Sequence, residues 1–285
     1  MTHSPLANPT ATLAVLAAHG LSTKKHLGQH FLVDDNVVGR ILQLAAISAD
    51  DVVFEIGPGI GTLTVALCGE AAAVVAVERD PDLLPVLADT AGGCPGLHIV
   101  RGDAVAVSLE SLNAPAGPPV ALVANLPYAV AATVVLRFFQ ELPSMRSATV
   151  MVQAEVADRM VAKPGSKDYG SYTVKLHLLA RPAGRFSVPR GVFLPPPRVD
   201  SAVLRLERIS RDESPELLAF ASRVADAAFA QRRKTLRNSL VAAGGWPSSV
   251  VEAALADAEI DGRRRGETLD IEEFLRLAHA LLTRS

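Results

Sequence analysis

Cysteine is scarce in this chain of 285 residues. Cys68 and Cys94 are the only two, they form no Cys-x-x-Cys pair, and the seven histidines are scattered. That argues for a reduced, cytosolic setting and against a zinc site or a disulfide framework, and no metal is expected. No apolar run reaches the ~18 residues of a membrane span. Residues 1–20 lack the basic start of a secretion signal, so Ala11–Ala18 reads as a short helix and no membrane partner is expected. There is no internal repeat.

What remains is an ordinary globular composition, 49% hydrophobic and 20% charged, long enough for one large α/β domain and a smaller appendage. The organising stretch is residues 52–62. Val52, Val53, Phe54 and Ile56 read as a buried parallel strand, and Gly57, Gly59 and Gly61 follow at alternate positions before a helical pattern begins at Thr62. Strand, glycine turn and helix form the place where an α/β sheet lets backbone approach a nucleotide-like ligand. Glu78 closes a second apolar run 21 residues after Gly57. That is close to the roughly 20-residue spacing at which a carboxylate reaches ribose hydroxyls.

Further strands are expected at Leu97–Arg101, Val120–Ala124, Ala148–Val152, near Arg185–Val188 and at Ser201–Leu206, alternating with helices. The helix after Glu78 should be capped by Asp80 with Pro81 in its first turn. Such alternation predicts a parallel, doubly wound sheet. Beyond a polar linker at Ile209–Pro215 only helices are expected, at about 216–230, 234–242, 248–257 and 270–282. The expected organisation is an extension (1–21), an α/β domain (22–208) and a helical domain (209–285).

The turn after the fourth strand, Asn125-Leu126-Pro127-Tyr128, carries an amide, a proline and an aromatic but no acid, histidine, serine or cysteine nucleophile. Hydrolysis or hydride chemistry would normally require a proton carrier or a nucleophile. The turn suits another task. An exocyclic amine on a planar base is a poor nucleophile because its lone pair is delocalised into the ring. The Asn125 side-chain oxygen and the Leu126 carbonyl can each accept one of its hydrogens, which favours a tetrahedral nitrogen aimed at an electrophile. Pro127 stiffens the turn, and Tyr128 offers a face on which a flipped base can stack, worth ~1–3 kcal/mol. Asp103, at the end of the third strand, can accept from an adenine amine.

Glu55-Ile-Gly-Pro-Gly-Ile-Gly-Thr-Leu-Thr, Glu78, Gly102-Asp103 and Asn125-Leu-Pro-Tyr resemble the ordered motifs of S-adenosylmethionine-dependent adenine N6-methyltransferases. Lys24-Lys-His-Leu-Gly-Gln-His-Phe-Leu, Phe193-Leu-Pro-Pro-Pro-Arg-Val-Asp-Ser-Ala and Phe229-Ala-Gln-Arg-Arg-Lys-Thr-Leu-Arg-Asn-Ser-Leu narrow the resemblance to the small-subunit ribosomal RNA adenine dimethyltransferases of the KsgA/RsmA type. It runs from about residue 22 to 283. It implies a Rossmann-like class I S-adenosylmethionine-dependent methyltransferase domain followed by a small all-helical C-terminal domain. It further implies cofactor contacts at His30, Leu32, Gly57, Gly59, Gly61, Glu78, Asp103 and Asn125, with the target adenine on Tyr128 and Phe193 on its other face. The family often has Asn where this chain has His30.

The implied substrate is two adjacent adenosines in the 3′-terminal hairpin of 16S ribosomal RNA, presented on a nearly assembled small subunit, to a cytoplasmic enzyme expected to be a monomer. RNA contacts are expected from Lys24, Lys25, Arg198, Arg232, Arg233, Lys234 and Arg237. Charge is distributed unevenly in the same sense: residues 158–198 hold 8 Lys/Arg against 2 acids, and residues 52–157 hold 4 against 10. The helical part is not basic as a whole, with 11 Lys/Arg against 12 acids over residues 209–285, so phosphate contacts there must be local. A large-subunit methyltransferase of the macrolide-resistance type shares the glycine turn and a similar Asn-Leu/Ile-Pro-Tyr/Phe turn, but not the Pro-Pro-Pro-Arg-Val-Asp-Ser-Ala stretch. A non-catalytic assembly or RNA-binding factor is the alternative from another class.

Overall fold

The computed structural model describes residues 2–23 and 29–284. The chain divides into two compact units: Met1–Ala157 with Pro182–Arg208, and Asp158–Arg181 with Ile209–Ser285.

The first unit is built on a seven-stranded sheet. Strands β2 (Val52–Ile56), β3 (Ala73–Glu78), β4 (Leu97–Arg101), β5 (Ala121–Asn125), β6 (Ser147–Gln153), β7 (Ala180–Val188) and β9 (Ser201–Arg208) lie in the order β4-β3-β2-β5-β6-β9-β7. A two-residue pair, β1 (Phe31–Leu32) with β8 (Phe193–Leu194), stands apart from it. The central strands are buried along their whole length, as strands covered on both faces must be. Phe54 of β2 is fully buried, edge-on to Phe138 of helix α5 (Ala131–Glu141) at 4.8 Å between ring centroids.

From β2 the chain steps outward to β3 and β4, then returns to β5 on the other side of β2 and steps to β6. Helix α6 (Ala154–Met160) follows β6 directly. The reversal between β4 and β5 opens a crevice at the carboxyl ends of β2 and β5. The glycine turn and Asn125 both stand there.

The sheet is not wholly parallel, contrary to expectation. β9 runs antiparallel to β6, with Ser201 opposite Gln153 and Glu207 opposite Ser147. Residues 189–200, between β7 and β9, hold three prolines in a row and only a three-residue helical turn. The chain therefore re-enters the sheet without the crossover helix that a parallel neighbour needs. The helix after Glu78 also starts later than expected. It is α4 (Leu83–Ala91), preceded by Asp82, and Asp80 accepts the Asp82 N–H to form a turn rather than capping the helix.

The N-terminal residues do not form a separate extension. Asp35 accepts the backbone N–H groups of His3 and Ser4. Leu16 of helix α1 (Pro9–Ala18) packs with Phe31, Ile60, Leu83 and Val86. Helix α2 (Asp35–Ala45), capped by Asp34, lays Val37, Val38, Ile41, Leu42 and Ala45 into a core shared with β2, β3 and β5.

The second unit is helical. Helices α7 (Ser171–His177), α8 (Pro215–Phe229), α9 (Leu236–Gly244), α10 (Ser248–Asp257) and α11 (Ile271–Leu282) surround one core that contains Leu236, Leu240, Val251, Phe274 and Leu281. It also takes in Tyr169, Val174 and Leu178, and the Tyr169 hydroxyl donates to the Leu269 carbonyl at 2.9 Å. Segment 158–181 thus belongs with the helices rather than with the α/β unit into which the linear boundary at 208 put it. The reason is apolar: Tyr169, Val174 and Leu178 bury themselves there. α11 starts with a capping box, Asp270 and Glu273 each accepting the other's backbone N–H.

Candidate active site

A cavity of about 800 Å3 opens at the crevice. Its walls come from residues 29–32, the turn after β2, the ends of β3 and β4, and the Asn125–Val130 turn after β5.

The glycine turn is shaped by backbone that other residues rarely adopt: φ is +68° at Gly57 and +62° at Gly59. A Cβ on Gly59 would also lie 3.1 Å from the Phe31 ring. Gly61 is different. It lies outside the cavity wall, at φ +88° it starts helix α3 (Thr62–Cys68), and a Cβ there would meet Leu87 and Thr90 of α4 at 3.0 Å. Its place is in helix packing, not in ligand contact as expected.

Three buried carboxyls gather at these strand ends. Glu78 accepts the Gly59 N–H at 3.1 Å and the Asp80 N–H at 2.7 Å, tying the glycine turn to the end of β3. Burial raises its pKa, opposed by those backbone donors. Asp80 accepts from the Gln29 side-chain amide at 2.9 Å. Glu55, at 2% exposure, takes the Thr64 hydroxyl at 2.6 Å, and burial pushes its pKa up to about 8. Glu55 and Gln29 line the cavity in addition to the expected residues. Their signal was there, in an acid inside an otherwise apolar strand and an amide in a polar lead-in.

Asp103 is half-buried, 3.2 Å from the Arg79 guanidinium, and accepts the Val105 N–H. The loop behind it is held by Arg137 of α5, whose guanidinium donates to the carbonyls of Ala104 and Val107, both at 2.7 Å.

Asn125 faces the lead-in segment. Its side-chain N–H donates to the His30 carbonyl at 3.1 Å. A carbonyl can only accept, so this contact fixes the amide's orientation and keeps Oδ1 as the acceptor still available to a ligand. In the turn that follows, the Val130 N–H closes onto the Pro127 carbonyl and the Leu126 N–H onto Met151 of β6. Neither bond uses the Leu126 carbonyl. Tyr128 is half-buried, its hydroxyl 2.7 Å from Ser201 and its ring stacked on the His30 imidazole at 5.8 Å. Burial raises the phenol's pKa, against the Ser201 bond.

Of the expected set, His30, Leu32, Gly57, Gly59, Glu78, Asp103 and the Asn125–Tyr128 turn therefore meet at one cavity. Phe193 does not. It is 2% exposed, opposite Leu32 in the β1–β8 pair, and packed with Val37, Val188 and Val203. A ring held in the core presents no face to a base.

A family model described as Ribosomal RNA adenine dimethylase matches residues 20–281. The chain belongs to that family. It is 46% identical over 285 residues to the Ribosomal RNA small subunit methyltransferase A of Rhodococcus opacus (strain B4), covering 96% of this chain and 94% of that one. Among solved structures it is similar to a dimethyladenosine transferase from Plasmodium falciparum, with TM-score 0.74 and 24% identity over 87% of this chain and 96% of that one. It is also similar to the 23S rRNA methyltransferase ErmE, with TM-score 0.64 and 30% identity over 88% and 99%. The α/β unit is thus of the class I methyltransferase type.

A dimethylase needs a methyl donor, and the residues present fit one of the S-adenosylmethionine kind. The cavity of about 800 Å3 has room for such a donor, the glycine turn lets a ligand reach the backbone, and the buried acids Glu55, Glu78 and Asp80 line the same wall. The Thr62 hydroxyl in the same wall is buried without a hydrogen-bond partner among the described residues. Among the described residues no group of His, Cys, Asp and Glu could hold a metal ion, and no helix is long and apolar enough to cross a membrane.

The expected RNA-contacting residues fare unequally. Lys24 and Lys25 lie outside the described residues. Arg198, in the first unit, is exposed. In the second unit, Arg233 and Lys234 are exposed in the turn before α9, and Arg232 donates to the Lys167 carbonyl. Arg237 is committed elsewhere: its guanidinium bonds Glu252 of α10 at 2.8 Å through Nε and also reaches Ser248. It joins two helices of its own unit.

Proposed function

We propose that the chain transfers methyl groups from S-adenosylmethionine to N6 of two adjacent adenosines in the 3′-terminal hairpin of 16S ribosomal RNA, giving dimethyladenosines during small-subunit assembly in the cytoplasm. The observation that carries this reading is the orientation of Asn125. Its amide N–H is already tied to His30, so its oxygen is the group offered to an amine entering the cavity that Gly57, Gly59 and Glu78 also line.

S-adenosylmethionine, when bound, supplies the electrophilic methyl group. The chain's residues do the rest. With the donor bound, Glu78 and Asp103 would accept from its ribose and adenine, and His30 and Leu32 would hold its methionine end. Asn125 Oδ1 and the Leu126 carbonyl accept from the target N6 amine, hold its hydrogens and turn its lone pair toward the methyl carbon. Acceptors of this kind, placed where charge develops, are typically worth about 10²–10³ in rate. Transfer would form the N6–C bond as the donor's methyl–sulfur bond breaks with its electron pair left on sulfur, so that the thioether S-adenosylhomocysteine leaves. N6 becomes cationic and strongly acidic, and its proton can pass to solvent without a dedicated base. The same site can take the monomethylated amine for a second transfer. Tyr128 carries the flipped base. Exposed Arg198 in the first unit, and exposed Arg233 and Lys234 in the second with Arg232 next to them in sequence, are the phosphate contacts we assign.

The test is to incubate the purified protein and labelled S-adenosylmethionine with small subunits from cells lacking the enzyme, then map the label by nuclease digestion and mass spectrometry. Dimethyladenosine at two neighbouring positions of the 3′-terminal hairpin is the expected outcome. Label confined to large-subunit RNA would transfer the assignment to the macrolide-resistance type. Tight binding without label would leave an assembly factor.

A further inference from the structure

The segment Pro195-Pro-Pro-Arg-Val-Asp-Ser-Ala is absent from the cavity wall, yet one end reaches the lining residue His30 and the other reaches Tyr128. At one end the Pro195 carbonyl is 2.8 Å from His30 Nδ1. Because a carbonyl only accepts, Nδ1 is the nitrogen that carries hydrogen, and the imidazole is held in a fixed plane. That ring lies against Tyr128 with an interplanar angle of 28°. At the other end Ser201, 1% exposed, meets the Tyr128 hydroxyl at 2.7 Å. Ser201 is itself pinned. It opens β9 opposite Gln153, while the preceding Asp200 accepts the Ala154 N–H through its carbonyl and the Arg190 N–H through its carboxylate.

We propose that Ser201 is a positioning residue for the target base: its hydroxyl fixes the Tyr128 phenol, and with the His30 ring behind it leaves one set face of Tyr128 for stacking. The physical reason is preorganisation. A half-exposed tyrosine with no bond at its hydroxyl samples more than one ring orientation, and a base arriving from an unstacked strand would have to order it. A phenol anchored at its tip and backed on one face has that ordering done beforehand. A displacement of about 1 Å at a reacting centre can cost 10²-fold in rate, so a bond remote from the amine can be felt in the transfer step. The inference rests on the reading of Tyr128 as the base platform.

A double-mutant cycle on kinetics with small subunits separates the two ideas. Ser201→Ala and Tyr128→Phe each remove the same bond, one from the buried side and one from the half-exposed side, and Tyr128→Phe keeps the ring. Each is expected to lower kcat/KM for the RNA roughly tenfold, and the double variant no further, with the dissociation constant for S-adenosylmethionine unchanged. Ser201→Thr, which retains the hydroxyl, is expected to recover most of the loss. Tyr128→Ala should fall well below all of these. If Ser201→Ala costs the same again in the Tyr128→Phe background, the serine acts through the strand and the proposal is wrong. It is equally wrong if Tyr128→Phe matches the wild type, a result that stands even should Ser201→Ala fail to fold. Full activity of Tyr128→Ala would instead overturn the base-platform reading itself.

Discussion

The two compact units bury apolar side chains alike but treat polar ones differently. Among the described residues, every buried carboxyl, Glu55, Glu78 and Asp80, lies in the α/β unit. Among its described residues the helical unit buries no charged side chain, and the hydroxyls of Thr173, Ser239 and Tyr169 each donate to a backbone carbonyl. Its charges meet near the surface instead, as in Arg264 with Glu273 and Arg284 with Asp257. Burying an acid is unfavourable unless something else requires it. The unit that does so three times at one set of strand ends is the one with a ligand to bind. The unit that avoids it is held together by packing.

The sharpest way to break that contrast is to damage each unit where it differs from the other. Phe274 of α11 is fully buried and stacks on Phe229 at 6.1 Å. Phe274→Ala should destabilise the protein by about 3–5 kcal/mol in denaturant unfolding, while the molecules still folded keep their affinity for S-adenosylmethionine. Loss of that affinity without loss of stability would mean that the helical core takes part in cofactor binding. Asn125→Ala should do the opposite. Turnover is expected to fall about 10²–10³-fold with cofactor affinity near normal. Weakened cofactor binding with turnover preserved would reverse the role assigned to the amide.

How much of this could be read beforehand follows from what is local. The apolar β-branched runs at Val52–Ile56 and Ala73–Val77, the glycine turn and the Asn125–Tyr128 turn are all short-range signals, and each marks an element or turn that the structure contains. What stayed hidden is what depends on a distant partner. Nothing in Ser201–Arg208 itself says that it pairs with β6 in the antiparallel sense. The pattern around Tyr169 and Val174 shows that they are apolar on one side, not that their partners lie far along the chain. Phe193 sits in a motif, yet its place is set by Leu32 and Val203. Arg237 belongs to the same basic run as Arg233, and only the fold brings Glu252 to it.

A subtler difference between the units should appear on titration. In the folded chain Glu55 keeps its proton up to about 8, against an ordinary 4.5, because burial disfavours the charged form and Glu78 lies nearby. Between those values the folded state holds a proton that the unfolded state has released. The stabilisation linked to this group is therefore complete below about pH 4.5 and is lost as the pH rises to about 8. Relative to Glu55→Gln, which cannot ionise, the wild type should lose stability across that window by at most ~1.4 kcal/mol per pH unit. Parallel unfolding profiles for the two proteins would show that Glu55 is ionised in the fold and that the α/β unit buries a charge, not a neutral acid.

The smallest effect concerns two neighbouring arginines of one basic run. Arg233 is exposed in the turn before α9, whereas Arg237 is held by Glu252 and Ser248. If binding to RNA is local and electrostatic, each phosphate contact contributes roughly 0.7–0.9 to the slope of log K against log salt. Arg233→Ala should therefore lower that slope by somewhat less than one. Arg237→Ala should leave it unchanged, because the guanidinium already has a carboxylate and breaking that pair frees no phosphate. Its effect belongs in the melting of the α9–α10 pair. Equal slopes lost by both variants would mean that Arg237 lets go of Glu252 to meet the RNA. The helical unit would then use its charges as switchable contacts and not only as surface ties.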